Sequence, residues 1–432
     1  MMTLLKTVRL TGMAALAALA LGSGVHATEP ASPEKITNFE ALNMSNGLAK
    51  TPPMGWSSWN GFGVAINEKL VIETIDAMVE NGMRDAGYVY VNLDDGWQRY
   101  EGSREDHPLE YDPEKFPRGI KYLADYAHER GMKLGIYSGP GKDTCAGYTG
   151  SAGHEAEDAA MFASWGIDHL KYDACCSHVN ESAEVVRRDF LTMSKALIAE
   201  KQDVVYHTCH CGWTNVWEWA GDIGANHWRI GQDISDDFDY PENREQYYFD
   251  VLDMIDRGVE LGRYAKPGQW NDFDMLIVGL DGKSKTLVGA GASNIEYRTH
   301  FSMWAMLASP LLVGSDIRDL DRYTLETLTN KEVIAISQDA LGLQAEKVRD
   351  DGDHEIYAKE LSDGSWAVAL LNRNGTTVDM TVSWKRDLGL QWERATVRDL
   401  WDHEDKGTYD IPYTVEVIGH EAKILRLSKP AN

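Results

Sequence analysis

The residues best suited to chemistry lie where apolar runs end in acids. The run from His169 to Asp173 carries Lys171 two residues before its final carboxylate. A strand places alternate side chains on one face, so this ammonium and carboxylate share a side. A neighbouring cation favours the ionised carboxylate and lowers its pKa, which suits a nucleophile. A purely structural Lys–Asp pair at the mouth of a barrel stays open as an alternative.

Two further segments end in carboxylates. Asp233 follows the run 228–232, and the adjacent pair Asp94 and Asp95 follows another apolar run. Carboxylates accept hydrogen bonds from hydroxyl groups, and an indole such as that of Trp97 packs on the apolar face of a pyranose. Two acids from separate strands, one ionised and one protonated, are what hydrolysis of a glycosidic bond requires. The sequence leaves their separation open, which is about 5 Å for retention of configuration and larger for inversion.

These acids need a scaffold, and the chain between residue 53 and about residue 340 alternates strand and helix patterns. Apolar runs typical of strands fall at 88–93, 133–137, 167–172, 204–207, 226–230, 274–278 and 311–313. Helical spacing of apolar residues falls between 70 and 79 and at 120–130, 154–165 and 183–199. About eight such repeats predict a parallel (β/α)8 TIM barrel, in which reactive groups project from the carboxyl ends of the strands.

The pattern changes after Leu341. Short apolar runs alternate there with turn signals such as Asp351-Gly352 and Asn374-Gly375, which is typical of antiparallel sheets. We therefore expect a catalytic barrel over residues 50–341 and a C-terminal antiparallel β-sandwich domain over residues 342–432. Packing is the default role of the sandwich, and a homodimer surface or an accessory sugar site stays open. The lack of a glycine-rich phosphate fingerprint argues against a nucleotide site.

Charge and the N-terminal segment limit the partners and the compartment. The 432 residues include 68 acidic and 42 basic side chains, for a net charge of -26. A nucleic-acid partner is therefore excluded, because it requires a basic face. Residues 1–27 combine Lys6 and Arg9 with a short apolar core and a small-residue cleavage pattern, which predicts a signal peptide, with residues 28–49 as an N-terminal extension. The apolar core is too short to span a membrane, so no membrane partner is expected.

An exported protein, periplasmic or secreted, folds in an oxidising compartment. Its five cysteines are then disulfide candidates, and their odd number leaves at least one thiol unpaired.

Several motifs occur in order from about residue 50 to the C-terminal sheet domain. They are 53–60 (PMGWSSWN), 93–97 (LDDGW), 135–137 (GIY), 144–147 (TCAG), 171–173 (KYD), 227–229 (HWR) with 233–234 (DI), and 267–275 (PGQWNDFDM). Together they resemble glycoside hydrolase family 27, the family of α-galactosidases and α-N-acetylgalactosaminidases.

The resemblance implies a retaining double displacement, without metal or cofactor, on a terminal α-linked galactose of an oligosaccharide or polysaccharide. By motif, Asp173 takes the position of the nucleophile and Asp233 that of the acid/base. Once Asp173 is esterified, the loss of its charge helps Asp233 to act as a base. The implied sugar-binding positions are Asp94, Asp95 and Lys171 at the 4- and 6-hydroxyls, Arg229 near the 2- and 3-hydroxyls, and Trp56, Tyr137, Cys145 and Asp274 around the pocket. The resemblance also implies a disulfide between Cys145 and Cys175 beside the site.

One segment departs from the family pattern. Cys209-His210-Cys211 stands where α-galactosidases have Cys-Glu-Trp, so His210 takes the position of the glutamate near the 2-hydroxyl. The bulk of His210 and Trp213 favours galactose, whereas the substitution itself keeps α-N-acetylgalactosamine as an alternative. A non-catalytic sugar-binding protein is the third alternative.

The same segment allows two further interpretations. One is a zinc site made of His207, Cys209, His210 and Cys211, which strand alternation disfavours because neighbouring residues point to opposite faces. The other is a disulfide from Cys176 to Cys209 or Cys211.

Overall fold

The computed structural model describes residues 44–175, 181–239 and 249–430. The predicted signal peptide, most of the predicted N-terminal extension and Cys176 lie outside the described residues. Within the described ranges, every helix is too short or too polar to cross a membrane.

Eight parallel strands form the first domain, in the order β7-β6-β5-β4-β3-β2-β1-β8. They are β1 (Met54–Ser57), β2 (Tyr90–Asn92), β3 (Lys133–Ser138), β4 (His169–Asp173), β5 (Val205–Cys209), β6 (His227–Arg229), β7 (Trp270–Asp272) and β8 (Leu311–Val313). The sheet closes on itself where Leu276, just after β7, forms a parallel bridge with Val313. The predicted (β/α)8 barrel is confirmed.

Helices surround this barrel. The described α-helices are α1 (Trp59–Phe62), α2 (Glu68–Glu80), α3 (Met83–Ala86), α4 (Gly119–His128), α5 (Glu155–Trp165), α6 (Ala183–Ala199), α7 (Val251–Gly258), α8 (Asn294–Met306), α9 (Arg322–Leu328) and α10 (Lys331–Ser337), with 3-10 turns at Trp213–Glu218, Val259–Tyr264 and Ile317–Asp319. The side chain of Asn67 caps α2 by accepting from the Leu70 amide. Val71, Ile75 and Met78 on the inner face of α2 are fully buried, as their helical spacing requires.

The predicted elements match the structure closely at some places and fail at one. The helix at Ala183–Ala199 and the strand at Leu311–Val313 are confirmed residue for residue. The strand predicted at 274–278 is wrong, because β7 lies earlier, at Trp270–Asp272. Asp274 has a φ of 83°, in the left-handed region, and this breaks the extended run before its apolar residues begin.

The second domain is a β-sandwich. A six-stranded antiparallel sheet in the order β14-β13-β16-β11-β10-β9 faces the pair β12-β15. Its strands are β9 (Glu346–Asp350), β10 (His354–Glu360), β11 (Trp366–Asn372), β12 (Val378–Val382), β13 (Ala395–Asp399), β14 (Glu404–Tyr409), β15 (Tyr413–Val417) and β16 (Ala422–Ser428). Alternate residues such as Val368, Leu370 and Leu425 point between the two sheets and form one apolar core.

Helix α8 joins the two domains, since it packs on strands of the large sheet. Thr299 donates its hydroxyl to the His420 carbonyl and accepts from the Ala422 amide. The buried ammonium of Lys359 on β10 donates to the Ala305 carbonyl of α8. The sandwich is therefore fixed to the barrel by specific polar contacts as well as by apolar packing.

Candidate active site

The sequence-predicted acids lie at the carboxyl ends of alternate barrel strands. Asp94 follows β2, Asp173 ends β4, and Arg229 ends β6 with Asp233 in the loop beyond it. Parallel strands end at the same rim of the barrel, so residues far apart in sequence meet there. Arg229 at the end of β6 binds Asp233, so Asp233 and Asp173 both lie at this rim.

Lys171 links the carboxylates of β2 and β4. Its Nζ lies 2.8 Å from Asp94 Oδ2 and 3.8 Å from Asp173 Oδ2. Burial alone would lower the pKa of Lys171, but the charges of Asp94 and Asp173 outweigh it and raise that pKa well above the ordinary value. Lys171 is therefore a permanent cation between two buried acids.

The pKa of Asp173 differs from the sequence prediction. Burial raises it above the ordinary value, although Lys171 and a hydrogen bond from the Cys175 amide (N to Oδ1, 2.7 Å) act in the lowering direction. Asp233 and Asp94 add to the rise by charge repulsion. The sequence analysis predicted the correct direction for the effect of Lys171 on the pKa of Asp173. It left out desolvation, which is the largest effect on a buried carboxyl group.

Arg229 organises the other half of the site. Its Nη2 donates to Asp233 Oδ1 at 3.0 Å, and its Nη1 lies 2.9 Å from Asp274 Oδ1. Asp274 Oδ2 also accepts from the Ile234 amide at 2.8 Å, so it holds the backbone next to Asp233. Burial raises the pKa of Asp274 to about 7, against the opposing effect of Arg229.

The two candidate catalytic acids differ in exposure. The side chain of Asp233 is 42% exposed, whereas that of Asp173 is 9% exposed. An acid at the mouth can reach a leaving group and water, while a buried one meets only the end of a bound sugar. A cavity inside the barrel is lined in part by Asp94, Lys171, Arg229 and Asp274.

Asp95 ties the loop after β3 to this rim. Its Oδ1 accepts from the Thr144 hydroxyl at 2.9 Å, and its Oδ2 accepts from the Ala146 amide at 2.8 Å. Burial raises the pKa of Asp95 to about 6. Between those two contacts lies Cys145, which forms the predicted disulfide with Cys175, two residues after Asp173. The disulfide thus joins the β3 and β4 loops beside the buried acid.

Aromatic residues behave in two ways. Tyr137 is buried with its ring 5.1 Å from Lys171 Nζ, and its hydroxyl has no hydrogen-bond partner among the described residues. A buried hydroxyl without a partner beside three acids is suited to a ligand. Trp56 is also buried, with its indole N–H donating to the Ser315 carbonyl. Trp97, expected from the sequence to pack on a sugar, instead packs against Phe162 and Trp165.

Strand β5 ends in Cys209, which lies at the site, and His210 follows it. Cys209 pairs in register with Asp173, so it points to the same side, and its thiol interacts electrostatically with Asp173 and Arg229. His210 is fully buried and packs against Phe190 of α6 and Trp213, outside the strands. Cys209 matches the family pattern, and the departure from it lies at His210 and Cys211. Both Cys209 and Cys211 are free thiols.

A histidine cluster lies deeper in the barrel. Nitrogens of His169, His207 and His227 lie within 4.8 Å of one another. The rings of His207 and His227 stack at 3.9 Å, and each has a nitrogen close to Asp272 Oδ2, at 3.1 and 3.0 Å. Both ring nitrogens of His227 are already engaged, one by Asp272 and the other by His169 Nε2 at 2.9 Å, so the cluster suits a hydrogen-bonded support for Asp272 better than a metal. It also differs from the zinc set considered from the sequence.

A (β/α)8 barrel whose rim holds one acid at the end of β4 and another just beyond β6, with a lysine and an arginine beside them, defines the class as a glycoside hydrolase. Residues 51–339 match the family model described as alpha galactosidase A, and residues 351–427 match the alpha galactosidase C-terminal beta sandwich domain. An α-galactosidase of Cyamopsis tetragonoloba is 42% identical over 395 residues, which cover 90% of this chain and 89% of that protein.

Solved structures agree with these matches. The crystal structure of α-galactosidase I from Mortierella vinacea superposes with a TM-score of 0.83 at 35% identity, covering 89% of this chain and 99% of that one. The structure of α-galactosidase from Saccharomyces cerevisiae with raffinose gives a TM-score of 0.81 at 28% identity, covering 90% of this chain and 100% of that one. The chain belongs to the α-galactosidase family, glycoside hydrolase family 27, as the sequence motifs predict.

Proposed function

We propose that the protein removes terminal α-linked galactose from oligosaccharides or polysaccharide side chains by a retaining double displacement. Asp173 acts as the nucleophile and Asp233 as the acid/base. The observation that carries this proposal is the arrangement of Lys171 with Asp94 and Asp173 on one side and Arg229 with Asp233 on the other.

In the first step, the Asp173 carboxylate attacks the anomeric carbon while Asp233 gives its proton to the leaving oxygen. The bond to the leaving group breaks and an ester to Asp173 forms. Esterification removes the negative charge of Asp173, and with it the repulsion between the two acids. Asp233 can then stay ionised, supported by Arg229, and accept a proton from the water that hydrolyses the ester.

The pocket side chains have complementary roles. Asp94 and Lys171 present a buried carboxylate and ammonium that suit the 4- and 6-hydroxyls, with Asp95 beside them. The Tyr137 hydroxyl is available to a sugar oxygen. Trp56 and Cys145 line the pocket, and Asp274 fixes Arg229 near the 2- and 3-hydroxyls.

The substituent at carbon 2 keeps a second candidate, an α-N-acetylgalactosaminidase. His210 packs against Phe190 and Trp213, and the half-buried Trp213 adds to the bulk that favours a plain hydroxyl. Cys209, which does face the acids, is small. Initial rates on the two 4-nitrophenyl α-glycosides, galactoside and N-acetylgalactosaminide, decide between them, and we expect the galactoside to be preferred.

Azide tests the assigned roles. Asp173→Ala removes the nucleophile, and azide entering the vacated space should attack from the same face and give β-galactosyl azide. Asp233→Ala should instead give α-galactosyl azide, because the ester still forms and azide replaces water. Hydrolysis by Asp173→Ala at the rate of the unsubstituted protein would overturn the proposal and favour a non-catalytic role for these acids.

We also propose that the protein is exported, to the periplasm or beyond. The N-terminal charge and apolar pattern and the Cys145–Cys175 disulfide support this proposal. N-terminal sequencing of the mature protein should begin near Thr28. An intact Met1 on the active protein would contradict cleavage.

A further inference from the structure

Two free thiols lie side by side at the end of β5. Cys209 is buried and Cys211 is partly exposed. The two thiols are two residues apart, and the charges of Cys211, Asp173 and Arg229 act on the Cys209 thiol. The pair therefore has one buried thiol at the catalytic acids and one thiol open to reagents.

A tight backbone turn that contains Cys211 directly follows Cys209. The Trp213 amide donates to the His210 carbonyl at 2.8 Å, which closes a four-residue turn around Cys211 and Gly212. Both central residues have positive φ, 51° and 72°, as in a type I′ turn. Asn, Asp and Gly dominate such positions, so a cysteine there is unusual.

Neighbouring strands anchor this turn at both ends. The Cys209 carbonyl accepts from the Ala174 amide at 3.0 Å, and the Gly212 amide donates to the Arg229 carbonyl at 3.2 Å. Cys211 therefore lies in a fixed turn two residues from Cys209, which keeps the two thiols in the same short segment.

We propose that Cys209 and Cys211 are a site of reversible disulfide formation, driven by exchange with a small-molecule disulfide, and that the oxidised protein hydrolyses its substrate more slowly. The Cys211 thiolate attacks the reagent, forms a mixed disulfide and releases one thiolate. Cys209 then loses its proton and attacks the Cys211 sulfur, releasing a second thiolate. Two protein thiols are oxidised and one reagent disulfide is reduced to two thiols, so electrons balance.

The effect on activity follows from the position of Cys209. Its sulfur faces Asp173 and Arg229, which contact opposite parts of the site. Drawing that sulfur into a bond with Cys211 changes the packing beside the nucleophile and the wall of the pocket. The activity part of the proposal rests on the proposed function, whereas the disulfide itself does not.

The test begins with reduced protein incubated with oxidised glutathione, acid-quenched, alkylated and digested. Mass spectrometry should find the peptide containing Cys209 and Cys211 unalkylated at both and two hydrogens lighter. The kcat/KM on 4-nitrophenyl α-galactoside should fall at least fivefold and return with dithiothreitol. The proposal is overturned if both thiols remain alkylatable, or if the bond runs to Cys176, or if the disulfide forms with no change in rate.

Matched variants separate this pair from the other cysteines. Cys211→Ser should lose the glutathione-dependent fall relative to its own untreated rate, while Cys176→Ser should keep it. Both variants retain Cys145 and Cys175, so any effect of that disulfide appears equally in the two. If the protein hydrolyses no glycoside at all, the peptide masses still decide whether the Cys209–Cys211 bond forms.

Discussion

Replacing Lys171 by methionine should shift the acid limb of the pH–rate profile to higher pH. The methionine keeps length and apolar packing but removes the cation that lies 3.8 Å from Asp173 Oδ2. At an effective dielectric constant of about 20, a charge pair at that distance interacts by about 4 kcal/mol, equivalent to about 3 pKa units. Measured effects of one opposite charge are about 1–3 units. We therefore expect the pKa of Asp173, already raised by burial, to rise by a further 1–3 units.

The sign of this shift follows from the role of the group. Asp173 attacks only as a carboxylate, so kcat/KM falls as pH drops through its pKa in the free enzyme. A higher pKa moves that fall to higher pH. Lys171 also contacts Asp94 at 2.8 Å, so the variant should lose rate at every pH as well.

The assay is kcat/KM on 4-nitrophenyl α-galactoside at half-unit pH steps, with circular dichroism to confirm folding at each pH. Lys69→Met is the matched control, because Lys69 is 84% exposed and forms a surface pair with Glu73 on α2. The control profile should overlay that of the unsubstituted protein. An acid limb that stays in place in Lys171→Met would refute the electrostatic link between Lys171 and the nucleophile.

Three further predictions concern stability and packing. Burial lowers the pKa of Lys359 to about 7, so unfolding takes up a proton between pH 7 and 10.5, and the free energy of unfolding falls as pH drops through that window. Lys359→Met should therefore raise the free energy of unfolding by about 3–5 kcal/mol at pH 6 and by less at pH 9. Equal urea midpoints for the variant and the unsubstituted protein at pH 6 would contradict this. Cys145→Ser removes a disulfide spanning 30 residues and should lower the free energy of unfolding by about 3 kcal/mol. The variant should therefore have a lower Tm, and the unsubstituted protein should show the same Tm only after reduction. In Gly139→Ala the added methyl group collides with the backbone carbonyl oxygen of Asp173. The kcat should therefore drop more than tenfold, with KM less affected. An unchanged kcat would show that the backbone between β3 and β4 shifts to accept the methyl group.

The motif-based part of the site was predictable because each short strand carries its reactive residue at a fixed end. Lys171 and Asp173 lie on one side of β4, as expected. Lys171 contacts the Asp94 carboxylate and lies close to that of Asp173. The disulfide at Cys145 followed from the family motif. These features depend on local spacing, which a sequence contains directly.

Register and burial were not predictable in the same way. Whether Cys209 or His210 faces the acids depends on how β5 pairs with β4, and the pairing of Cys209 with Asp173 decides it. The raised pKa of Asp173 depends on desolvation by the whole rim. The misplaced strand at 274–278 shows the same limit, because the left-handed backbone of Asp274 is stabilised by Arg229 and the Ile234 amide.

Trapping the glycosyl-enzyme tests the central claim most directly. In Asp233→Ala, an activated aryl α-galactoside should still esterify the nucleophile, while hydrolysis of the ester is slow because no base assists water. Mass spectrometry of a rapid peptic digest should then find one hexosyl unit on the peptide that contains Asp173. A hexosyl unit on a different residue, or release of β-galactose with no adduct, would contradict the assignment of Asp173 as the nucleophile of a retaining reaction.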